Sequence, residues 1–197
     1  RSNLLSAYYS KGCDSSELFA PLKIAQTAGY RERLNRLNVI KIDLNSEYQS
    51  TEDKSQIIKI LSREICSELR EEFPDVSFRE EDSLARSILR VYAATKETFV
   101  IIIDEYDVLI RENVEKRLFD EYLGFLNGLF KSDTLRQAIS LAYITGILPV
   151  VRDKVQSKLN NFEEYTILKA YELSEYIGFT DDEVKALCLE YGMDYEE

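Results

Sequence analysis

The chain has 197 residues, 45% of them hydrophobic and 31% charged, with a formal net charge of −11. That length admits one domain or slightly more, with a large buried core, and the acidic balance argues against a broad nucleic-acid or anionic-membrane surface. The absence of His excludes His–metal sites, Ser–His triads and His general bases, and the scattered Cys13, Cys66 and Cys188 exclude CxxC zinc or redox motifs.

Along the chain, Leu4, Leu5 and Tyr8 fall at helical spacing, and Lys11-Gly12 reads as a helix stop. Residues 14–37 suggest short helices with a loop at Ala28-Gly29. The alternation in 38–44 predicts a strand. Ile57, Ile58, Leu61, Ile65, Leu69 and Phe73 then mark an amphipathic helix across 53–73, ended by Pro74. A further helix is expected over 82–95, capped by Ser83 or Asp82. Phe99 to Ile103 form an unbroken apolar run closed by Asp104-Glu105. Such a run predicts a strand buried on both faces, as in a parallel sheet covered by helices.

A helix over 115–131 precedes a second apolar strand at 139–145, which ends at Thr145-Gly146. Residues 164–170 suggest another short strand, and 173–192 a turn and helix with Thr180 and Glu183 as a capping box. This alternation predicts an α/β doubly wound sheet. Charge is uneven: residues 1–99 hold 15 basic and 16 acidic side chains, and residues 100–197 hold 10 and 20. Within 171–197, Lys185 is the only base among nine acids. No run approaches ~18 apolar residues, so no membrane helix is expected. No signal peptide is expected either, and scattered thiols suit a reducing cytoplasm.

The sharpest chemical pattern is the apolar run ending in Asp104-Glu105, the Walker B arrangement of P-loop ATPases. A buried strand fixes its last carboxylate at the carboxyl edge of the sheet, where ligands bind in open α/β folds. Asp104 then suits Mg²⁺, and Glu105 an attacking water. A core strand followed by a solvated acidic turn reads the same way. Thr145, at the end of the next strand, suits the polar sensor 1 position that contacts the attacking water or the γ-phosphate, or else simply satisfies a strand end. Arg111, Arg152, Lys154 and Lys158 are candidates for an arginine finger or sensor 2, Arg152 first, against a reading as solvated bases. Asp107 lies near the metal position in sequence or caps the next loop, and Asp43 ends its strand away from nucleotide. The 197 residues contain no GxxxxGK[ST] phosphate loop. Pro74-Asp75 faintly suggests a restriction-type nuclease site, but lacks a following Asp/Glu-x-Lys.

Residues 7–25, 37–45, 99–112, 122–131, 139–150, 157–168 and 176–188 together resemble the AAA-ATPase-like family of predicted bacterial ATPases, often fused to a restriction-endonuclease-like domain. The resemblance implies a P-loop NTPase sheet of the additional-strand (AAA) type, flanked by helices, in the order 5-1-4-3-2. Residues 38–44, 98–104, 139–145 and 164–169 would be strands 2 to 5. Strand 1 and a loop of the form RFGKT or RFGKS are expected just before Arg1, leaving strand 4 with an exposed edge unless strand 5 closes the gap, and this stretch marginally stable. The implied organisation is a core over 1–170 and the start of a helical lid over 171–197. The implied ligands are ATP and Mg²⁺, used by the intact protein. The implied partners are nucleotide and either another protein or a C-terminal nuclease-like domain, with no membrane contact. Two functions follow: a fragment of an ATP-hydrolysing domain, inactive alone, or a non-hydrolysing protein-interaction module on the same fold.

Overall fold

Phe99–Asp104 forms β2, and its five apolar side chains are each at most 1% exposed. The computed structural model describes residues 2–148, 162–166, 169, 173 and 178–195. On one side β2 pairs in parallel with β1 (Asn38–Asp43), in a register that sets Asp43 opposite Asp104. On the other it pairs in parallel with β3 (Ile139–Ile144). The order β1-β2-β3 gives the predicted strands 2, 3 and 4 the neighbours expected of them. Burial separates the strands by position: β2 is buried from Phe99 to Ile103 and half-buried at Asp104, whereas Ser140 and Leu141 on β3 are exposed. Among the described residues, β2 is the one strand paired with β3.

The helices follow the periodicity. Ser2–Tyr9 (α1) packs on β1 and β2. Ser16–Phe19 (α2) and Tyr30–Arg33 (α3) add Phe19 and Tyr30 to a small aromatic cluster around Tyr8. The Tyr8 hydroxyl donates to the Tyr30 carbonyl at 3.0 Å, which fixes α1 against α3. After β1, Asp43 caps Leu44–Ser50 (α4) by accepting from the Ser46 amide at 2.9 Å. Ile57–Glu72 (α5) buries Ile57, Ile58, Leu61, Ile65, Cys66 and Leu69, as its spacing requires. A short 3-10 turn at Lys54–Gln56 precedes it, so the predicted helix starts slightly later than its pattern.

In Leu84–Thr95 (α6), the Ser83 hydroxyl is the cap. Asp82 instead accepts from the Arg79 amide at 2.8 Å and pairs with Arg90. Val108–Arg111 (α7) is a single turn directly after β2. Lys116–Phe130 (α8) buries Tyr122 and Leu126 completely, and Asp133–Arg136 (α9) leads into β3. Helices α5, α6 and α8 pack on one another.

The chain divides into two compact units, Arg1–Asn161 and Phe162–Glu197. The second contains Asp181–Tyr191 (α10), opened by the predicted capping box: the Glu183 amide donates to the Thr180 hydroxyl, and the Glu183 carboxylate accepts from the Thr180 amide. Where the sequence suggests a strand at 164–170, Thr166 and Lys169 bond each other's backbones at 3.3 and 3.0 Å as an isolated antiparallel bridge. Positions 167, 168 and 170 lie outside the described residues. Among the described residues, no helix is long and apolar enough to cross a membrane.

Candidate functional site

The carboxyl ends of β2 and β3 meet at Asp104. One carboxylate oxygen accepts from the Ser2 hydroxyl and the other from the Thr145 hydroxyl. Ser2 is 6% exposed, in the first turn of α1, and its partner lies 102 positions away in sequence. The β2–β3 ladder continues past the strand ends: the Thr145 amide donates to the Ile103 carbonyl at 2.9 Å, and the Tyr106 amide to the Thr145 carbonyl at 2.9 Å. This ladder holds the Thr145 side chain over Asp104. The Thr145 hydroxyl also accepts from the Glu105 amide at 3.4 Å.

Burial raises the Asp104 carboxyl. The Ser2 and Thr145 hydroxyls, the Glu105 amide and the Lys41 charge together outweigh burial and hold it below its ordinary range. A group depressed in the folded state adds stability above its unfolded pKa, and loses that contribution as pH falls through the folded value. Thr145→Val removes one of the depressing donors. Its Asp104 is expected to titrate at higher pH than in the wild type, read by NMR of the side-chain carboxyl carbon. An unchanged titration would show that the hydroxyl contributes nothing.

Glu105 takes a left-handed backbone conformation, φ +52°. For a non-glycine residue this costs on the order of 1 kcal/mol and is characteristic of constrained sites. Its carboxylate accepts from Arg111 Nη2 at 2.6 Å. Arg111 Nε lies 3.3 Å from an oxygen of Asp107, which is fully buried. That same oxygen accepts from the amides of Ile147 at 3.2 Å and Leu148 at 2.9 Å. Asp107 therefore ties the loop after β2 to the loop after β3. Tyr106 makes a parallel tie, its hydroxyl donating to the Leu148 carbonyl at 2.7 Å. Beneath it, the Tyr122 hydroxyl donates to the Tyr106 carbonyl at 2.6 Å. Burial first, then the neighbouring Tyr106 and Asp107, pushes the Tyr122 phenol well above its ordinary pKa, so it stays a donor.

Asp104, Glu105 and Thr145 thus come together, as the sequence suggests. Arg111, a candidate finger or sensor base, is engaged by Glu105 and Asp107 of its own loop. Asp107 sits at the N-cap position of α7 but makes no cap bond. Arg152, Lys154 and Lys158 lie outside the described residues. Ser2 escaped the sequence reading, although the phosphate-loop motif does end in a Ser or Thr at the first turn of the helix that follows it. Among the described residues no three His, Cys, Asp or Glu side chains gather as a metal cage. Mg²⁺ seldom uses one: it binds through one or two carboxylates, with waters and substrate phosphates completing the shell. The Asp104 carboxylate beside the Ser2 hydroxyl fits that donor set.

A parallel α/β sheet whose buried central strand delivers an Asp-Glu pair to its carboxyl edge, beside a hydroxyl that follows the adjacent strand, has polar groups gathered where open α/β folds bind their ligands. The family described as "Predicted AAA-ATPase" matches residues 2–156, and the chain belongs to this AAA-ATPase-like family. No curated protein and no solved structure matches it.

Proposed function

We propose that this chain is the greater part of an ATP-binding and ATP-hydrolysing domain. The observation that carries the reading is the convergence of Ser2 and Thr145 on Asp104 at the end of β2. Asp104 and Ser2 are the residues that would hold Mg²⁺, which when bound neutralises phosphate charge. Thr145 keeps Asp104 ionised and oriented, and stands where a γ-phosphate or attacking water would be sensed. Glu105 orients the attacking water and accepts its proton after leaving Arg111. Arg152 is the proposed charge-stabilising base. The phosphates need backbone amides and a Lys from a GxxxxGK[ST] loop. These 197 residues hold none, so activity is assigned to a protein that includes such a loop, and the stretch alone is expected to bind no ATP at micromolar concentrations. Family membership and the absence of His chemistry both fit this division of labour.

In the intact protein, Glu105→Gln is expected to lower ATP turnover by about 100-fold or more, within the range for loss of a general base, with ATP affinity retained. Steady-state phosphate release and equilibrium nucleotide binding read the two halves of that result. Unchanged turnover would remove Glu105 from the role. Unmeasurable turnover and nucleotide binding in the wild type would favour a protein-interaction module on the same fold.

A further inference from the structure

The free edge of β1 lies in a groove away from the Asp104 site. Leu37 donates its amide to the Tyr9 carbonyl at 2.8 Å, and its carbonyl accepts from the Lys11 amide at 3.0 Å. The segment after α1 therefore pairs with the chain just before β1, as a parallel bridge between Ser10 and Leu37. The next residue, Asn38, turns the other way and donates to Thr98 beside β2. Amide and carbonyl groups alternate sides along a strand. Those of Val39 and Lys41 therefore point outward, in line with Leu37, where the chain at Gly12 has already left the edge. Among the described residues no strand pairs there.

A groove of about 470 Å³ runs beside these groups. Its floor is apolar, with Ile40, Ile65, Leu69, Phe73 and Phe99 buried in it. Its wall is acidic: Glu68, Glu71 and Glu72 line it from the last turns of α5 and are exposed. Among the described residues none of these three carboxylates is in an ion pair. Acids at a helix C-terminus add to the negative end of its dipole, so the field there favours an incoming cation. The helix's own last-turn base, Arg70, is turned away and donates to the Arg79 carbonyl at 3.1 Å. The groove's lysines are committed too: Lys11 pairs with Glu97 at 2.6 Å and lies over the Phe73 ring, and Lys41 donates to Asn3.

We infer that this edge takes up an extended segment of a partner protein, a strand whose side chains on the face toward α5 include both apolar residues and Lys or Arg. Its backbone bonds the outward groups of Val39 and Lys41, its apolar side chains cover the floor, and its cations meet Glu68, Glu71 and Glu72. Strand addition of this kind draws affinity from main-chain hydrogen bonds and specificity from alternate side chains. The inference stands whether or not the domain hydrolyses ATP.

The test uses the full-length protein and a fluorescent peptide of about six residues, within ordinary strand length, in which every second residue is Thr and the residues between are Val and Lys, so that Val and Lys share one face; it is read by anisotropy at about 0.15 M salt. The same peptide, N-methylated at every second residue, keeps its charge but cannot pair as a strand. Expected is binding of the first peptide and at least about tenfold weaker binding of the second, a difference of about 1.4 kcal/mol. The triple variant Glu68→Gln, Glu71→Gln, Glu72→Gln should weaken the first peptide by a similar factor. Val39→Pro, which removes one outward amide at an edge that tolerates proline, should do the same. Unfolding curves establish that each variant is folded, and the peptide pair decides the matter if Val39→Pro is not. Equal binding of the two peptides would reduce the contact to charge and overturn the inference. So would no binding up to about 1 mM, or sedimentation showing that the edge is covered by a second copy of the chain.

Discussion

Gly146→Ala is expected to destabilise the protein by about 3 kcal/mol, the upper part of the range for overpacking a filled site. A Cβ at this position would lie 2.5 and 2.6 Å from two ring carbons of Tyr106 and 2.7 Å from Asp107 Oδ1. Neither neighbour is free to give way. The Tyr106 ring is buried and anchored through its hydroxyl to Leu148, and Asp107 is held by two amides and by Arg111. The requirement is for space, since Gly146 is not among the glycines of positive φ. Gly124→Ala is the reference: nothing lies within 4 Å of its Cβ position, in the middle of α8. That change should be neutral or stabilising by about 0.5–1 kcal/mol. Urea unfolding of the two variants gives the comparison. Equal stabilities would show that the loop after β3 relaxes freely. The same strain acts next to Thr145, so the alanine at 146 should also loosen the hold on Asp104.

Much of this fold was legible because its signals are local. The alternation in β1, the unbroken apolar run of β2 and the helical spacing in α5, α6 and α8 each follow from what one element must bury. Caps at Ser83 and Thr180 were visible for the same reason, a hydroxyl placed three residues before the amide it serves. The strand expected at 164–170 had only a short apolar run behind it. Such a run does not distinguish a strand from a buried helix segment; the described Thr166 and Lys169 form an isolated antiparallel bridge, and positions 167, 168 and 170 lie outside the described residues.

The site was legible where it follows the strand ends and obscure where it depends on distant pairing. Asp104, Glu105 and Thr145 close predicted strands, so the sheet brings them together. Ser2 carries no local pattern that distinguishes it from any other early helical serine. Its importance comes from a carboxylate 102 positions on. In sequence Arg111 reads as a finger, a sensor base or a solvated base, because the single turn of α7 that folds it back onto Glu105 and Asp107 is too short to leave a periodic signal.

Asp107→Ala is expected to cost about 3 kcal/mol, with Asp107→Asn closer to 1 kcal/mol. Hydrogen bonds to a charged acceptor contribute about 1.5–3 kcal/mol each when buried. Here Asp107 Oδ2 accepts two amides and faces Arg111 Nε. The full sum does not apply, because Ile147 is 72% exposed and its amide can turn to water, and an ion pair reaching solvent is screened. Alanine also removes an unfavourable feature, the buried Oδ1 that has no hydrogen-bond partner. Asparagine keeps an oxygen for the two amides and gives up the attraction to Arg111. The order wild type, asparagine, alanine in unfolding free energy therefore separates the amide clamp from the charge. If asparagine falls as far as alanine, the ion pair dominates and the clamp is incidental. A second readout follows from the position of the clamp. Ile147 and Leu148 are the residues that hold the chain after Thr145 against the loop after β2. Loosening them frees Thr145 from Asp104, so in the alanine variant the Asp104 carboxyl should rise toward its ordinary pKa. A variant that lost stability while Asp104 titrated as before would show that Asp107 supports the fold without tuning the site.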